Sequence, residues 1–306
     1  MDAIVVEGVE KSYGSFEALH GVSFNVKRGE VFGFLGPNGA GKTTTMRIVS
    51  TLLPPDVGNV FVCGHSVVDD PVEVKKLIGL LPERFGFYEE MTAFSYLNFN
   101  ASFYLKQKDE REKKCTELLG LMGLKEVSDK RIRTFSHGMR QKLAMALSMV
   151  NDPEVLIMDE PTNGLDPEAT FEFESLIKDL KKSGRTIFLS SHILPEVEKL
   201  CDRVCILNRG DVIAQDSIDG ISKHLKGLRI AVNTLGFDKD IVDRIRAVEG
   251  IMSVEASGYA MKIEVENQES IAKVNAFLVK NDVGVVEIRN EEMNLEEIFL
   301  SLVRGV

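Results

Sequence analysis

Tryptophan is absent from this chain of 306 residues, and cysteine occurs only four times. Cys63, Cys115, Cys201 and Cys205 form no C-x-x-C pair, so they read as reduced packing residues, neither metal ligands nor bridges. Cys201 and Cys205 suit a helix end followed by an apolar strand. No stretch approaches the roughly 18 apolar residues that a membrane-crossing helix needs. The start, Met1-Asp2-Ala3-Ile4, lacks the basic-then-apolar plan of a signal peptide, so the expectation is a soluble, intracellular protein. Positive charge is in deficit. The 37 Lys and Arg face 47 Asp and Glu, and the net charge of −10 disfavours general binding to nucleic-acid phosphates. What the chain does have is apolar mass: 44% of its residues are hydrophobic, enough to bury a core and to build two domains.

Apolar and polar residues alternate in Val22-Ser23-Phe24-Asn25-Val26, as in a strand with one covered face, and predict an antiparallel β edge near the N-terminus. Beyond Gly29 the runs become short and continuously apolar: Val31 to Leu35, Val155 to Met158, Ile187 to Leu189 and Val204 to Leu207. Strands buried on both faces of a parallel sheet read this way. Helical spacing, as in Phe173, Leu176, Ile177 and Leu180, lies between them and predicts an α/β core with crossover helices. From about 84 to 151 the spacing is helical with almost no strand signal, which predicts a helical insertion ending at Asn151-Asp152-Pro153. The polar stretch 222–227 predicts a domain boundary. Beyond it the pattern reads strand, helix, strand, strand, helix, strand and a last helix over 294–303, a ferredoxin-like α+β plan.

Gly36-Pro37-Asn38-Gly39-Ala40-Gly41-Lys42-Thr43 follows the apolar strand 31–35 and opens a helical stretch, the context of a phosphate-binding loop. Glycines let backbone N–H groups converge on phosphate oxygens, and the helix N-terminus adds positive potential. Lys42 would reach the β and γ phosphates, and Thr43 would offer its hydroxyl to Mg2+. A second apolar run, 155–158, delivers Asp159 and Glu160 to the end of the sheet from which that loop emerges. Asp159 would hold Mg2+ through water, and Glu160 would take the proton of an attacking water. Ser136 sits where the N-cap of the helix through Leu143 and Leu147 belongs, a start that is also an anion site.

Taken together and in this order, these motifs resemble the ATP-binding subunit of an ABC transporter over residues 1 to about 220. The resemblance implies a P-loop ATPase domain over 1–221 and an accessory domain over 222–306. It also implies ATP and Mg2+ as cofactors, and a role for each matching position. Tyr13 looks like the aromatic that stacks on adenine. Gly36, Asn38, Gly39, Gly41, Lys42, Thr43 and Thr44 look like Walker A, and Ser136 with Gly138 like the signature motif. Asp159 and Glu160 look like Walker B with its catalytic glutamate, Gly164-Leu165-Asp166 like the D-loop, and His192 like the switch histidine. Glu83 departs from the pattern, standing where the family has glutamine; it is expected to ligand the metal with Thr43 and Asp159. His137 and Met139 replace the usual glycine and glutamine of the signature, and His137 is expected at its rim.

In this family an ATP molecule is sandwiched between the phosphate loop of one copy and the signature of another. One chain is then catalytically incomplete, and a homodimer working under a separate transmembrane permease is expected, peripheral to the inner face of the cell membrane. Eight Phe and Tyr side chains crowd between Phe85 and Tyr104. Tyr96, Phe99 and Phe103 share a helical face and are expected in the core. For the Phe85-Gly86-Phe87-Tyr88 loop two readings stand: a wall of the groove that receives the permease, or a loop folded onto its own subdomain. The ending Met293-Asn294-Leu295-Glu296-Glu297-Ile298-Phe299-Leu300 looks like the closing motif of ABC-2-type exporter subunits. The alternative is a soluble ABC ATPase acting on nucleic acid or ribosomes. Such proteins usually carry a coiled coil, zinc cysteines or a second cassette, and the sequence has none of these.

Overall fold

The computed structural model describes residues 2–221, 228–291 and 295–304. It divides into two compact units, Met1–Ile218 and Asp219–Val306. The expected boundary over 222–227 lies outside the described residues, as do Met293 and Asn294 of the closing motif.

In the first unit the chain runs β1 (Asp2–Tyr13), β2 (Phe16–Lys27), β3 (Val31–Leu35), α1 (Lys42–Val49), β4 (Val57–Val62), β5 (His65–Ser66), α2 (Pro71–Leu77), β6 (Ile78–Leu81), α3 (Ala93–Ala101), α4 (Lys108–Leu121) and α5 (His137–Ser148). It continues through β7 (Val155–Met158), α6 (Pro167–Lys182), β8 (Thr186–Ser191), α7 (Leu194–Leu200), β9 (Arg203–Asn208) and β10 (Asp211–Ser217), ending at α8 (Ile218–Ile221), which straddles the division. The early antiparallel strands form a sheet of their own, β2-β1-β4-β5, beside a six-stranded sheet in the order β10-β9-β3-β8-β7-β6. In the larger sheet β9, β3, β8, β7 and β6 are parallel, and β10 alone runs antiparallel at the edge.

Alternation on β2 buries Leu19, Val22, Phe24 and Val26 toward the larger sheet. Phe24 meets three rings of that sheet, with centroids 5.8 Å from Phe32, 5.0 Å from Phe34 and 5.6 Å from Phe188. The continuously apolar β3 and β7, and β8 with its apolar run Ile187 to Leu189, are buried at every position because both their faces are covered. Parallel register then sets the placement of the chemistry. Leu35 lies beside Ser191 and Met158 beside Leu189, so Gly36, Asp159 and His192 leave the same end of the sheet.

Between β6 and β7 stand α3, α4 and α5, whose shared core includes Leu97, Leu118, Leu119, Leu143 and Met145. Thr92 caps α3 by accepting from Ser95 N. Tyr96 is buried as expected of this helical face, but Phe99 and Phe103 are 46% and 64% exposed. The reasons are local: Phe103 lies beyond α3, which ends at Ala101, and Phe99 lies off the face on which the helix buries Ala93, Tyr96, Leu97 and Ala101; the two rings pack edge-on to each other at 5.5 Å. Cys115, Cys201 and Cys205 are buried free thiols. Burial pushes Cys115 up to about 11 and the other two higher, so none is a thiolate near neutrality.

The second unit runs β11 (Leu228–Thr234), α9 (Lys239–Arg246), β12 (Ile251–Ser257), β13 (Ala260–Val265), α10 (Gln268–Lys280), β14 (Val285–Asn290) and α11 (Leu295–Arg304). Its antiparallel sheet has the order β12-β13-β11-β14. Ile230, Val232, Ile263 and Val265 pack with Ile245 of α9 and with Val274 and Leu278 of α10. Leu295 and Ile298 of α11 are buried, and Arg229 pairs with Glu297 of α11 at 2.9 Å and with Glu264 at 2.7 Å. No helix among the described residues is long and apolar enough to cross a membrane.

Candidate functional site

Gly36 follows β3 where no side chain fits, since a Cβ there would stand 2.3 Å from the carbonyl oxygen of Leu207. Gly41 turns the chain into α1 with φ 109, and a Cβ would stand 2.6 Å from Leu19 and 2.9 Å from the carbonyl oxygen of Ala18. The helix start has no side-chain cap, so its first N–H groups are left to an incoming anion. Lys42 is buried, and its Nζ donates to the Gly36 carbonyl at 2.7 Å and lies 3.5 Å from Glu160 Oε1. The ammonium is therefore held back over the loop, its charge met by a carboxylate.

The ends of β7 and β8 are tied together by Ser190. Its hydroxyl donates to Asp159 Oδ1 at 2.6 Å and accepts from Glu160 N at 2.9 Å. Glu160 has φ 48, a left-handed backbone that costs a non-glycine residue about 1 kcal/mol or more and persists only where the surroundings enforce it. Its second oxygen, Oε2, lies 2.7 Å from His192 Nδ1. The Glu160 carboxylate thus bridges an ammonium on the phosphate loop and an exposed imidazole just past the end of β8.

These groups line one cleft of about 430 Å3 with Asn38, Gly39, Gly41, Thr43 and Thr44 of the loop and with Tyr13 and Glu83. A neighbouring hollow of about 340 Å3 is lined by Thr43, Glu83 and Asp159. Gly36 backs the loop from beneath. Ser136, Gly138 and Asp166 do not line the cleft. Ser136 is exposed and caps α5 by accepting from Met139 N at 3.2 Å, while Gly138 lines a separate hollow with Leu165 and Ala169. Asp166 caps α6, accepting from Ala169 N at 2.8 Å. His137 is exposed, but its Nε2 lies 3.2 Å from the carbonyl oxygen of Asn163, so it is engaged with a neighbouring loop as well as standing at the rim.

Sequence reasoning passed over Phe16, Asn163 and Ser190. Phe16 lines the cleft beside Tyr13 because the two are paired across a two-residue turn, a signal available in Tyr13-Gly14-Ser15-Phe16. Asn163 lies in the loop after Glu160, where spacing gives no cue. Ser190 is a polar residue in an apolar strand, and only its packing neighbours reveal its two bonds.

The ABC transporter family model matches residues 19–163. A linearmycin resistance ATP-binding protein of Bacillus subtilis is 33% identical over 300 residues, covering 97% of this chain and 96% of that protein. A bacitracin transport ATP-binding protein of Bacillus licheniformis is 35% identical over 304 residues, covering 96% and 95%. Among solved structures, a dimeric ATP-binding cassette in a post-hydrolysis state, bound to ADP and Pi, superposes with a TM-score of 0.64 at 26% identity, covering 70% of this chain and 98% of that one.

Proposed function

The chain belongs to the ATP-binding subunits of ABC transporters, which are ATPases, and on that premise we propose how its residues divide the work. The observation that carries the proposal is the Lys42–Glu160–His192 group inside the cleft, with Ser136 exposed outside it. Tyr13, joined by Phe16, stacks on the base. Walker A, Gly36 through Thr44, cradles the triphosphate, and Lys42 turns from its carbonyl partners to the β and γ phosphates. Glu160, oriented by His192, accepts the proton of the attacking water. Thr43, Asp159 and Glu83 would hold Mg2+; they bring oxygen donors to one hollow, the chemistry that ion prefers. When bound, the ion neutralises charge on the phosphates. Among the described residues no group of three His, Cys, Asp or Glu could hold a metal, so phosphate oxygens would complete its shell.

Ser136, Gly138 and Asp166 act on the nucleotide of a second copy, so that ATP glues two subunits and hydrolysis loosens them. The motor works at the inner face of the membrane under a separate permease. The Phe85–Tyr88 loop is folded onto Tyr96 of its own subdomain, which donates to the Gly86 carbonyl at 3.0 Å and packs against Phe87 and Tyr88, and the exposed side of Tyr88 is the part that meets the permease. Relatives named for drug resistance and for antibiotic transport support export as the direction, and the second unit is an accessory domain of ferredoxin-like plan. Glu160→Gln is expected to slow ATP hydrolysis by about 100-fold or more and to accumulate an ATP-bound dimer, measured by phosphate release and light scattering. Monomer alone at saturating ATP would overturn the sandwich.

A further inference from the structure

We infer that His137 and Gln141 are positioning residues that fasten the signature helix to the Glu160 loop of the same chain, so that engagement of Ser136 with a partner's nucleotide is felt at the chain's own Glu160. The inference rests on the two-copy sandwich proposed above and goes beyond it by naming the physical link between the two nucleotide sites.

Three observations meet at this seam. Gln141, one turn into α5, is buried, and its Nε2 donates to the carbonyl of Pro161, the residue after Glu160, at 2.6 Å. His137, directly after Ser136, has Nε2 at 3.2 Å from the carbonyl oxygen of Asn163, which itself lines the nucleotide cleft. The ring also packs on the loop, because a Cβ on Gly164 would stand 3.3 Å from the same nitrogen. On its other side the loop is held by the bond from Glu160 N to Ser190.

The loop is therefore clamped between β8 and the start of α5. Glu160 keeps its left-handed backbone only while the clamp holds. The bonds from α5 end on backbone carbonyls, so their strength depends on the donors at 137 and 141 and little on the side chains they reach. Either the Nε2–H tautomer or the imidazolium of His137 can donate. Glycine, the usual residue of the family at this position, has no donor, so His137 supplies a link that the common signature lacks. When α5 shifts to meet a phosphate at Ser136, packed and hydrogen-bonded atoms cannot stretch continuously, and the 161–163 segment moves with it.

The test uses the full chain and ATP. Steady-state hydrolysis against ATP concentration is measured for the native chain, His137→Ala, His137→Gln and Gln141→Leu, and ATP-driven dimerisation is measured for the same changes in a Glu160→Gln background. With two coupled sites the native Hill coefficient should lie between about 1.5 and 2. His137→Ala should lower it to about 1 and reduce kcat roughly fivefold, with dimerisation at the same ATP concentration as before. His137→Gln, which keeps a donor, should restore both. Gln141→Leu should likewise bring the Hill coefficient to about 1 and should lower kcat further; if that buried substitution unfolds the chain, the exposed His137 pair decides. A native chain that dimerises cooperatively while His137→Ala leaves Hill coefficient and kcat unchanged overturns the link alone. No ATP-driven dimer in any variant overturns the sandwich and the link with it.

Discussion

Glu83 adds a third carboxylate to the cleft that Glu160 lines and to the hollow that Asp159 lines, at a position where the family pattern has a neutral amide. Without a metal ion that charge repels a γ-phosphate, by about 1 kcal/mol at 4 Å in water-like surroundings and more where water is excluded. Glu83→Gln is therefore expected to keep hydrolysis at saturating Mg2+ and to tighten ATP binding in EDTA about fivefold, read by nucleotide titration. Complete loss of hydrolysis would show that the carboxylate is chemically required. At the same scale, Lys42, Asp159 and Glu160 were legible as residue types at fixed spacings, and His192 only through the family resemblance. Ser190 was not. Its use lies in standing within 3 Å of both Asp159 Oδ1 and Glu160 N, a fact of strand adjacency that local sequence does not carry.

Among the elements, β2 shows how a surface sheet is welded to the catalytic one. Phe24 is the point where alternation on an antiparallel strand meets the fully buried faces of β3 and β8. Phe24→Ala removes that ring from a packed site, and a loss of about 3–5 kcal/mol is expected, seen as a lower denaturant midpoint at unchanged slope. An unchanged midpoint would mean that the two sheets are held elsewhere. The α3–α5 insertion was legible from spacing, but the exposure of Phe99 and Phe103 was not, because it turns on which face of α3 is covered and on where the helix stops. The tie between this insertion and its entry loop was equally hidden. Arg140 of α5 grips Glu89 through both its terminal nitrogens, at 2.7 and 3.1 Å, and its hydrogen bond holds the Glu89 carboxyl below the usual range. The segment just beyond Phe85–Tyr88 is thereby pinned to the helix that Ser136 caps.

For the molecule as a whole, the two units have separate apolar cores, and the cleft lies entirely in the first. A ligand stabilises what it binds, by about 2.7 kcal/mol at a hundred times its dissociation constant. Calorimetry with ATP and Mg2+ is therefore expected to raise the transition of the first unit by several degrees and to leave that of the second in place. Equal shifts in both would show that the units unfold as one.

The sequence by itself determined the inventory: which strands are buried on both faces, where a glycine-rich turn enters a helix, and which carboxylates end an apolar run. Those properties are local, set by side-chain period and backbone sterics, and they survive without knowledge of neighbours. Tertiary structure alone decided the pairings. The register of β3 against β8 and β8 against β7 brought Lys42, Glu160 and His192 into one cleft and left Ser136 outside it. The packing of α5 against the loop after β7 gave Gln141 and His137 their acceptors. Contacts between residues twenty or more positions apart depend on how whole elements stack, and no local pattern encodes that distance.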